Sequence, residues 1–267
     1  MAKYDSAGLA MIPSGYKASK VYSLIPNSSD GDFDFARSSS ATRVNKDGLI
    51  ETVATNVPRL DYPLIDGVVQ DTPSLLLEPS RSNVYPYSED LSSAATTRCN
   101  ITSNDTISPN GSQDADLFVS NDALESYTQL NGTVDANFTW SFFVKKGNNN
   151  YVHGLSWDLS QGGVRQWFNL TTKTVGTNGT FGSGYSVQDA SIEDYGNGWY
   201  RCSMTVNGIA GANGFRVSVS DGDGIITSAV GLYSYFWGLQ AENGSYATSY
   251  IPTSGSTVPR DRDWETH

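Results

Sequence analysis

Residues 198 to 206 read GWYRCSMTV, and their alternation decides the fold class. Tyr200, Cys202, Met204 and Val206 fall on one side of an extended backbone, and Trp199, Arg201, Ser203 and Thr205 on the other, because successive side chains of a strand point to opposite faces. FRVSVSD, residues 215 to 221, repeats the pattern with Phe215, Val217 and Val219 opposing Arg216, Ser218 and Ser220. In WSFFVKK, residues 140 to 146, Trp140, Phe142 and Val144 share one face while Ser141, Phe143 and Lys145 share the other. That strand is expected to be covered on both sides over part of its length. One apolar and one polar face per strand is what two stacked sheets require.

The same short extended pattern recurs outward from these segments. KVYSLIP, FDFARS, ATRVN, GLIETV and PSLLLEP carry the first part of the chain; DLFVS, FTWSFFVKK, YVHGLSWDL, VRQWFNLTTKTV and LYSYFWGLQA carry much of the rest. No long window places apolar residues at helical spacing, and Gly, Asn, Asp and Pro clusters separate the segments, as in a sandwich or barrel. The character changes near Pro79 to Ser88. Before it, apolar islands are short and a self-sufficient core is hard to assemble. The first segment is therefore expected to lean on the second domain or on copies of itself, and the chain divides into a β-hairpin-rich oligomerisation region over 1–80, a β-sandwich over 81–258 and a tail over 259–267.

Within the first region, FDFARSSSATRVNKDGLIET spans residues 33 to 52. Ala41 to Asn45 and Gly48 to Val53 form the expected hairpin, turned by Asn45 to Gly48. Ser38, Ser39 and Ser40 have no evident base to activate them and read as plain hydroxyls. Arg37 and Arg43 stand out in an acidic chain and are expected to pair with carboxylates of this region or of a neighbouring subunit. With Phe33 and Phe35 they form the candidate assembly surface.

Composition narrows the function. The 267 residues carry 17 Lys and Arg against 28 Asp and Glu, a net charge of −11, which argues against wrapping nucleic acid or lying on an anionic membrane. No run approaches the roughly 18 apolar residues of a membrane helix, and the start lacks a leader pattern, so a soluble chain with no membrane insertion is expected. Two cysteines, Cys99 and Cys202, are too few for a disulfide scaffold; two buried thiols and a single bridge both remain open.

Catalytic signals are sparse. His153 and His267 are the only histidines, too few for an imidazole metal site, and no G-x-S-x-G elbow occurs. Paired acids such as Glu193, Asp194 and Glu242 could in principle serve glycoside hydrolysis, but no E-x-D-x-x-E strand pattern accompanies them. No catalytic residue and no cofactor are assigned. DGDG, residues 221 to 224, reads as a turn; its alternative is a structural calcium held by Asp221 and Asp223. What remains is a set of aromatic side chains amid polar strands; with Trp199 assigned, like Trp140, to the core, it comprises Tyr127, Tyr151, Trp157 and Trp167, with Arg165 between the last two. Aromatic rings stack on the C–H faces of sugars while polar groups satisfy the hydroxyls, so these five are the candidate glycan-binding residues. The alternative is that the rings close the edges of the core.

Several longer phrases carry a family resemblance. SGYKASKVYSLIP, NVPRLDY and SLLLEPSRSNVYPYSEDL, followed by FTWSFFVKKG, FNLTTKTVGT, ASIEDYGNGWYRCSMTV and YFWGLQAENGSYATSYIPTSGSTVPR, closely resemble tailed-bacteriophage virion appendage proteins of the head-fibre and tail-fibre type. The resemblance spans about residues 8 to 260. It implies an all-β chain whose second part is a jelly-roll sandwich, concanavalin A-like or of the carbohydrate-binding-module kind. It also implies a non-enzymatic structural or adsorption protein on the virion surface, most often a homotrimer, joined to other virion proteins such as capsid, portal, tail or fibre. Such a protein is made in the bacterial host cytoplasm and released by lysis, and together with the aromatic-rich polar strands the resemblance points to weak binding of cell-surface or environmental glycans. A capsid decoration or fibre adaptor without a ligand, and a polysaccharide-degrading enzyme, are the rival readings. Two departures stand out: LSSAATTRCN lacks the Trp usual after SED, and the chain stops at DRDWETH where relatives commonly continue.

Overall fold

The computed structural model describes residues 10–17, 19–25, 32–158 and 162–266. Among the described residues there is no α-helix; one short 3-10 turn, Leu91–Ser93, is capped by the Asp90 carboxylate. Among the described residues no helix is long and apolar enough to cross a membrane. The chain divides into two compact units. One comprises residues up to Pro63, Val69–Arg81 and the stretch from Pro259; the other comprises Leu64–Val68 and Ser82–Val258.

The larger unit is a β-sandwich. Its strands are β1 (Ala95–Thr97), β2 (Cys99–Ile107), β3 (Gln113–Ser120), β4 (Tyr127–Val134), β5 (Asn137–Lys146) and β6 (Tyr151–Asp158). They are followed by β7 (Gly162–Asn169), β8 (Thr174–Gly182), β9 (Ser186–Asp194), β10 (Trp199–Asn207), β11 (Gly211–Ser220) and β12 (Tyr233–Asn243). Two six-stranded sheets result, in the orders β1-β4-β11-β6-β7-β8 and β2-β3-β12-β5-β10-β9, and their pairings are antiparallel.

The alternation read from the sequence is what joins them. Phe138, Trp140, Phe142 and Val144 of β5, with Cys202, Met204 and Val206 of β10, pack against Phe215, Val217 and Val219 of β11 and Val152 of β6. Phe215 lies 5.1 Å from Trp140 and 5.9 Å from Phe138, ring centre to ring centre, and Phe142 lies 5.9 Å from Phe168. Each such ring contributes roughly 1.5–3 kcal/mol by leaving water, and the edge and tilted contacts add direction to that packing. Cys99 and Cys202 are buried free thiols; burial pushes the Cys99 pKa up to about 11.

Phe143 explains why β5 is apolar on both sides. On the outer face of the second sheet it meets Tyr195 at 4.8 Å, Trp237 at 5.4 Å and Tyr250 at 6.2 Å. The chain after β12 folds back over this face. Arg201 donates from Nη2 to the Thr248 carbonyl at 2.7 Å, Gln240 Oε1 accepts the Ile251 N–H at 2.7 Å, and Glu242 accepts the Thr248 N–H at 2.9 Å. The outer half of β10 is therefore polar in type yet covered: Trp199, Arg201 and Thr205 are all buried.

The smaller unit is built from short pairs. Ala10–Lys17 pairs antiparallel with Lys20–Ile25, which pairs with Phe33–Ala36; the last of these also pairs with Trp264–Thr266. Ala41–Val44 and Ile50–Val53 form the expected hairpin. Asn45 Oδ1 accepts the Asp47 and Leu49 N–H groups, and Gly48 takes a φ of 78° that suits glycine. Val21, Phe35, Ala41, Val44, Ile50 and Val53 are buried, but the centre is ionic. Arg37, Arg59 and Arg260 are all buried. Asp263 accepts from Arg37 Nη1 at 3.0 Å and from Arg59 Nη2, while Glu78 Oε2 pairs with Arg59 at 2.8 Å and Arg260 at 2.6 Å. Backbone carbonyls of Ser39, Ala54, Thr42 and Pro79 accept further guanidinium protons. The stretch that the sequence sets apart as a tail from 259 thus supplies Arg260 and Asp263 to this unit.

Of the four candidate assembly residues, Phe35 and Arg37 are buried within the unit itself. Arg43 is half-buried and pairs with Glu51 at 2.6 Å across the hairpin. Phe33 lies on the strand opposite Val21. Ser39 plays a structural part, its Oγ accepting the Asp261 N–H at 2.8 Å.

Candidate functional site

The outer face of the first sheet is set by strand parity. On β6, Val152 points into the core, so Tyr151, His153, Leu155 and Trp157 point out. Register fixes their neighbours: Tyr151 lies between Asn169 and Ser220, His153 between Trp167 and Ser218, Leu155 between Arg165 and Arg216, and Trp157 between Gly163 and Gly214. Gln129 of β4 lies opposite Arg216, and Tyr127, two residues away, shares its side. All five residues selected from sequence, Tyr127, Tyr151, Trp157, Arg165 and Trp167, therefore occupy one sheet face.

The face has a flat aromatic centre. A Cβ at Gly163 would come within 2.4 Å of Trp157 Cβ, and one at Gly214 within 2.6 Å of Trp157 Nε1, so only glycine on both flanking strands lets the indole lie across them. Arg216 stacks between rings, its guanidinium carbon 3.7 Å from the Tyr127 ring centre and 4.9 Å from that of Trp157. Gln129 Oε1 accepts from both Arg216 Nε at 2.6 Å and Trp157 Nε1 at 3.2 Å. Burial lowers the Arg216 pKa first, opposed by Tyr127 and Glu125. Arg165 lies over the Phe181 ring at 5.4 Å and donates from Nη2 to Glu125 Oε1 at 2.8 Å; Arg216 Nη1 is 4.0 Å from the same oxygen.

Toward the other end the face closes. Trp167 is buried and donates its Nε1 proton to the Ile225 carbonyl at 2.8 Å. Tyr151 is half-buried, and its hydroxyl accepts from Asn169 Nδ2 at 2.8 Å. His153 is fully buried against Trp167, with 5.3 Å between ring centres. Among the described residues, neither of its ring nitrogens nor the Ser218 hydroxyl has a hydrogen-bond partner. Burial, reinforced by Arg165 and Arg216, drives the His153 pKa down to about 3, so the imidazole is neutral.

Arg216, Gln129 and Glu125 are absent from the sequence-based selection. The signal for Arg216 was present in FRVSVSD, whose parity places it opposite the core; Glu125 lies in a loop and left no periodic trace. Asp221 and Asp223 are engaged separately. Asp221 accepts the Ala229 N–H at 2.7 Å and the Thr227 hydroxyl at 3.0 Å, while Asp223 accepts the Thr177 N–H at 2.9 Å. Among the described residues no group of three or more His, Cys, Asp or Glu is placed to hold a metal ion.

No family model matches the chain, and no curated protein matches it.

Proposed function

We propose that this chain is a non-enzymatic bacteriophage virion appendage protein, of the head-fibre or tail-fibre kind, whose sandwich is a jelly roll that binds host-surface or environmental glycans on the outer face of its first sheet. The observation that carries the glycan reading is the convergence of Trp157, Tyr127, Arg165 and Arg216 on one face with Gln129 between them. Trp157 offers an apolar ring for a sugar's C–H face, and the guanidinium and amide groups suit hydroxyls. The virion reading is supported by the phrases from SGYKASKVYSLIP to YFWGLQAENGSYATSYIPTSGSTVPR. Weak single sites would gain avidity across the copies of a homotrimer.

A glycan array with titration calorimetry on the assembled protein tests the adsorption part. Binding that Trp157→Ala removes supports it; an array without signal removes it and leaves a structural appendage. That purely structural reading is favoured by the burial of Trp167, and it predicts that Trp157→Ala leaves adsorption unchanged. Light scattering on the purified protein tests the trimer.

A further inference from the structure

We propose that the ligand of this face is a carboxylate-bearing sugar, read by Arg165 and Arg216, and that Glu125 is an internal carboxylate occupying the ligand's anionic position. This rests on the glycan reading above and narrows it to acidic glycans.

The geometry points to a shared anion position. Arg165 Nη2 and Arg216 Nη1 lie 2.8 Å and 4.0 Å from one oxygen, Glu125 Oε1. The contact is asymmetric, with Arg216 farther from the carboxylate than Arg165. The three side chains are 16%, 13% and 17% exposed, respectively for Arg165, Arg216 and Glu125, so they are reachable from solvent. Arginine forks favour planar carboxylates. Arg216 cannot swing away freely, being held between Tyr127 and Trp157 and bonded to Gln129. It is therefore pre-organised, with little rotamer freedom left to lose on binding.

Glu125 is the movable member. The loop that carries it is pinned at its base by the Ser120, Ser126 and Ser228 hydroxyls, within 2.9–3.1 Å of one another, and by Ser228 Oγ donating to the Leu124 carbonyl. Displacing the carboxylate requires a side-chain rotation with the backbone in place. A partly exposed ion pair contributes about 1 kcal/mol or less, so an incoming carboxylate that bridges both guanidinium groups can replace it. The net charge of −11 does not forbid this, since charges more than roughly 8 Å away are screened at physiological salt.

A second observation marks the same face as unfinished. Among the described residues, the His153 ring nitrogens, the Ser218 hydroxyl and Arg165 Nε are buried without a hydrogen-bond partner, and they lie on three paired strands that also carry Arg216. Buried polar groups are ordinarily paired, and a local cluster of exceptions calls for a functional explanation.

The test is an array of uronic- and sialic-acid glycans, each printed beside its carboxyl-reduced form and beside sulfated glycans, probed with the assembled wild-type protein and with Glu125→Gln, Arg165→Gln and Arg165→Lys. Thermal melts of each variant establish folding, and Arg165→Lys keeps the charge while losing the fork. The expected result is binding of carboxylated members over their reduced forms. Glu125→Gln strengthens it about fivefold, Arg165→Gln weakens it tenfold or more, and Arg165→Lys falls between. Equal binding of the reduced forms with no effect of Glu125→Gln overturns the acidic-sugar assignment and leaves the glycan reading standing. Binding of sulfated members alone overturns the carboxylate class. No signal from any glycan removes both readings.

Discussion

Replacing Asp263 by Asn tests whether the N-terminal unit is held by its ionic centre. The Asp263 side chain is fully buried, as are those of Arg37 and Arg59 that donate to its two oxygens, and it also accepts the Glu78 N–H at 2.9 Å. Asparagine preserves the volume but removes the charge, and its amide nitrogen turns a donor toward one of the two guanidinium groups. Breaking a buried pair in this way costs about 3–5 kcal/mol, because the partner charge stays buried. Two partners place this case toward the upper end. Against a typical domain stability of about 5–15 kcal/mol, the unit would open far more often. Hydrogen exchange of the full chain reads this directly: amides of Ala41–Val44 and Ile50–Val53 should lose protection by about two to three and a half decades, while β5 and β10 keep theirs. Glu51→Gln is the internal control. It breaks the Arg43–Glu51 pair, whose side chains are 20% and 38% exposed, and should cost about 1 kcal/mol or less. If Asp263→Asn leaves protection within tenfold of wild type, or matches Glu51→Gln, the ionic centre is not what holds this unit.

Phe215→Ala, which empties the space against Trp140 and Phe138, should destabilise the sandwich by about 3–5 kcal/mol in urea titrations; a loss under about 1 kcal/mol would mean that the sheets are not held through this ring. Neither Cys99 nor Cys202 should react with a thiol reagent in the native state, and both should react in denaturant, since both are buried and free; two unreactive sulfurs in denaturant would indicate a bridge. The pH dependence has two opposing parts. The His153 pKa lies at about 3 against an ordinary 6.5, so acidification across that window protonates the unfolded chain first and lowers stability by about 1.4 kcal/mol per pH unit. Burial raises the Asp116 pKa from 3.8 to about 6, so acidification between those values protonates the folded chain first and adds stability. His153→Gln removes the first effect: relative to wild type, the variant should gain stability as the pH falls from about 6 to 4, and a difference that stays flat in urea denaturation across that range refutes the assignment.

The sequence made the sandwich legible wherever a strand had one apolar side. GWYRCSMTV, FRVSVSD and FTWSFFVKK appear as β10, β11 and β5 with their parity intact. VRQWFNLTTKTV runs through a hairpin, its turn set by Asn169 Oδ1 accepting from Thr171 and Thr172. The strands that escaped notice are polar: CNITSNDTI of β2 and YTQLNGTV of β4 carry few apolar residues, and ladder hydrogen bonds hold them in place without a hydrophobic signature of their own. In the N-terminal unit the apolar islands are short, yet Val21, Phe35, Ala41, Val44, Ile50 and Val53 are buried within a compact unit. What periodicity could not reveal was that arginines fill the middle, because a buried guanidinium is made tolerable by partners at 78 and 263, far away in the chain.

The candidate site follows the same division. Aromatic residues among polar strands are visible to the eye, and parity sorts them onto a face once the register is known; but which of them is reachable depends on loops. Trp157 and Trp167 look alike in SWDLSQGGVRQW, yet one lies across two glycines beside a stacked arginine and the other is capped by the Ile225 carbonyl. Arg216 and Glu125 lie 91 positions apart in the chain, and only the pairing of β4 with β11 brings them together. A face made of side chains from five strands and one loop is a property of register. A one-residue slip of β11 against β6 would turn Arg216 into the core and dismantle the face, so whatever stabilises the inward row of Phe215, Val217 and Val219 also holds the outward arginine over Trp157.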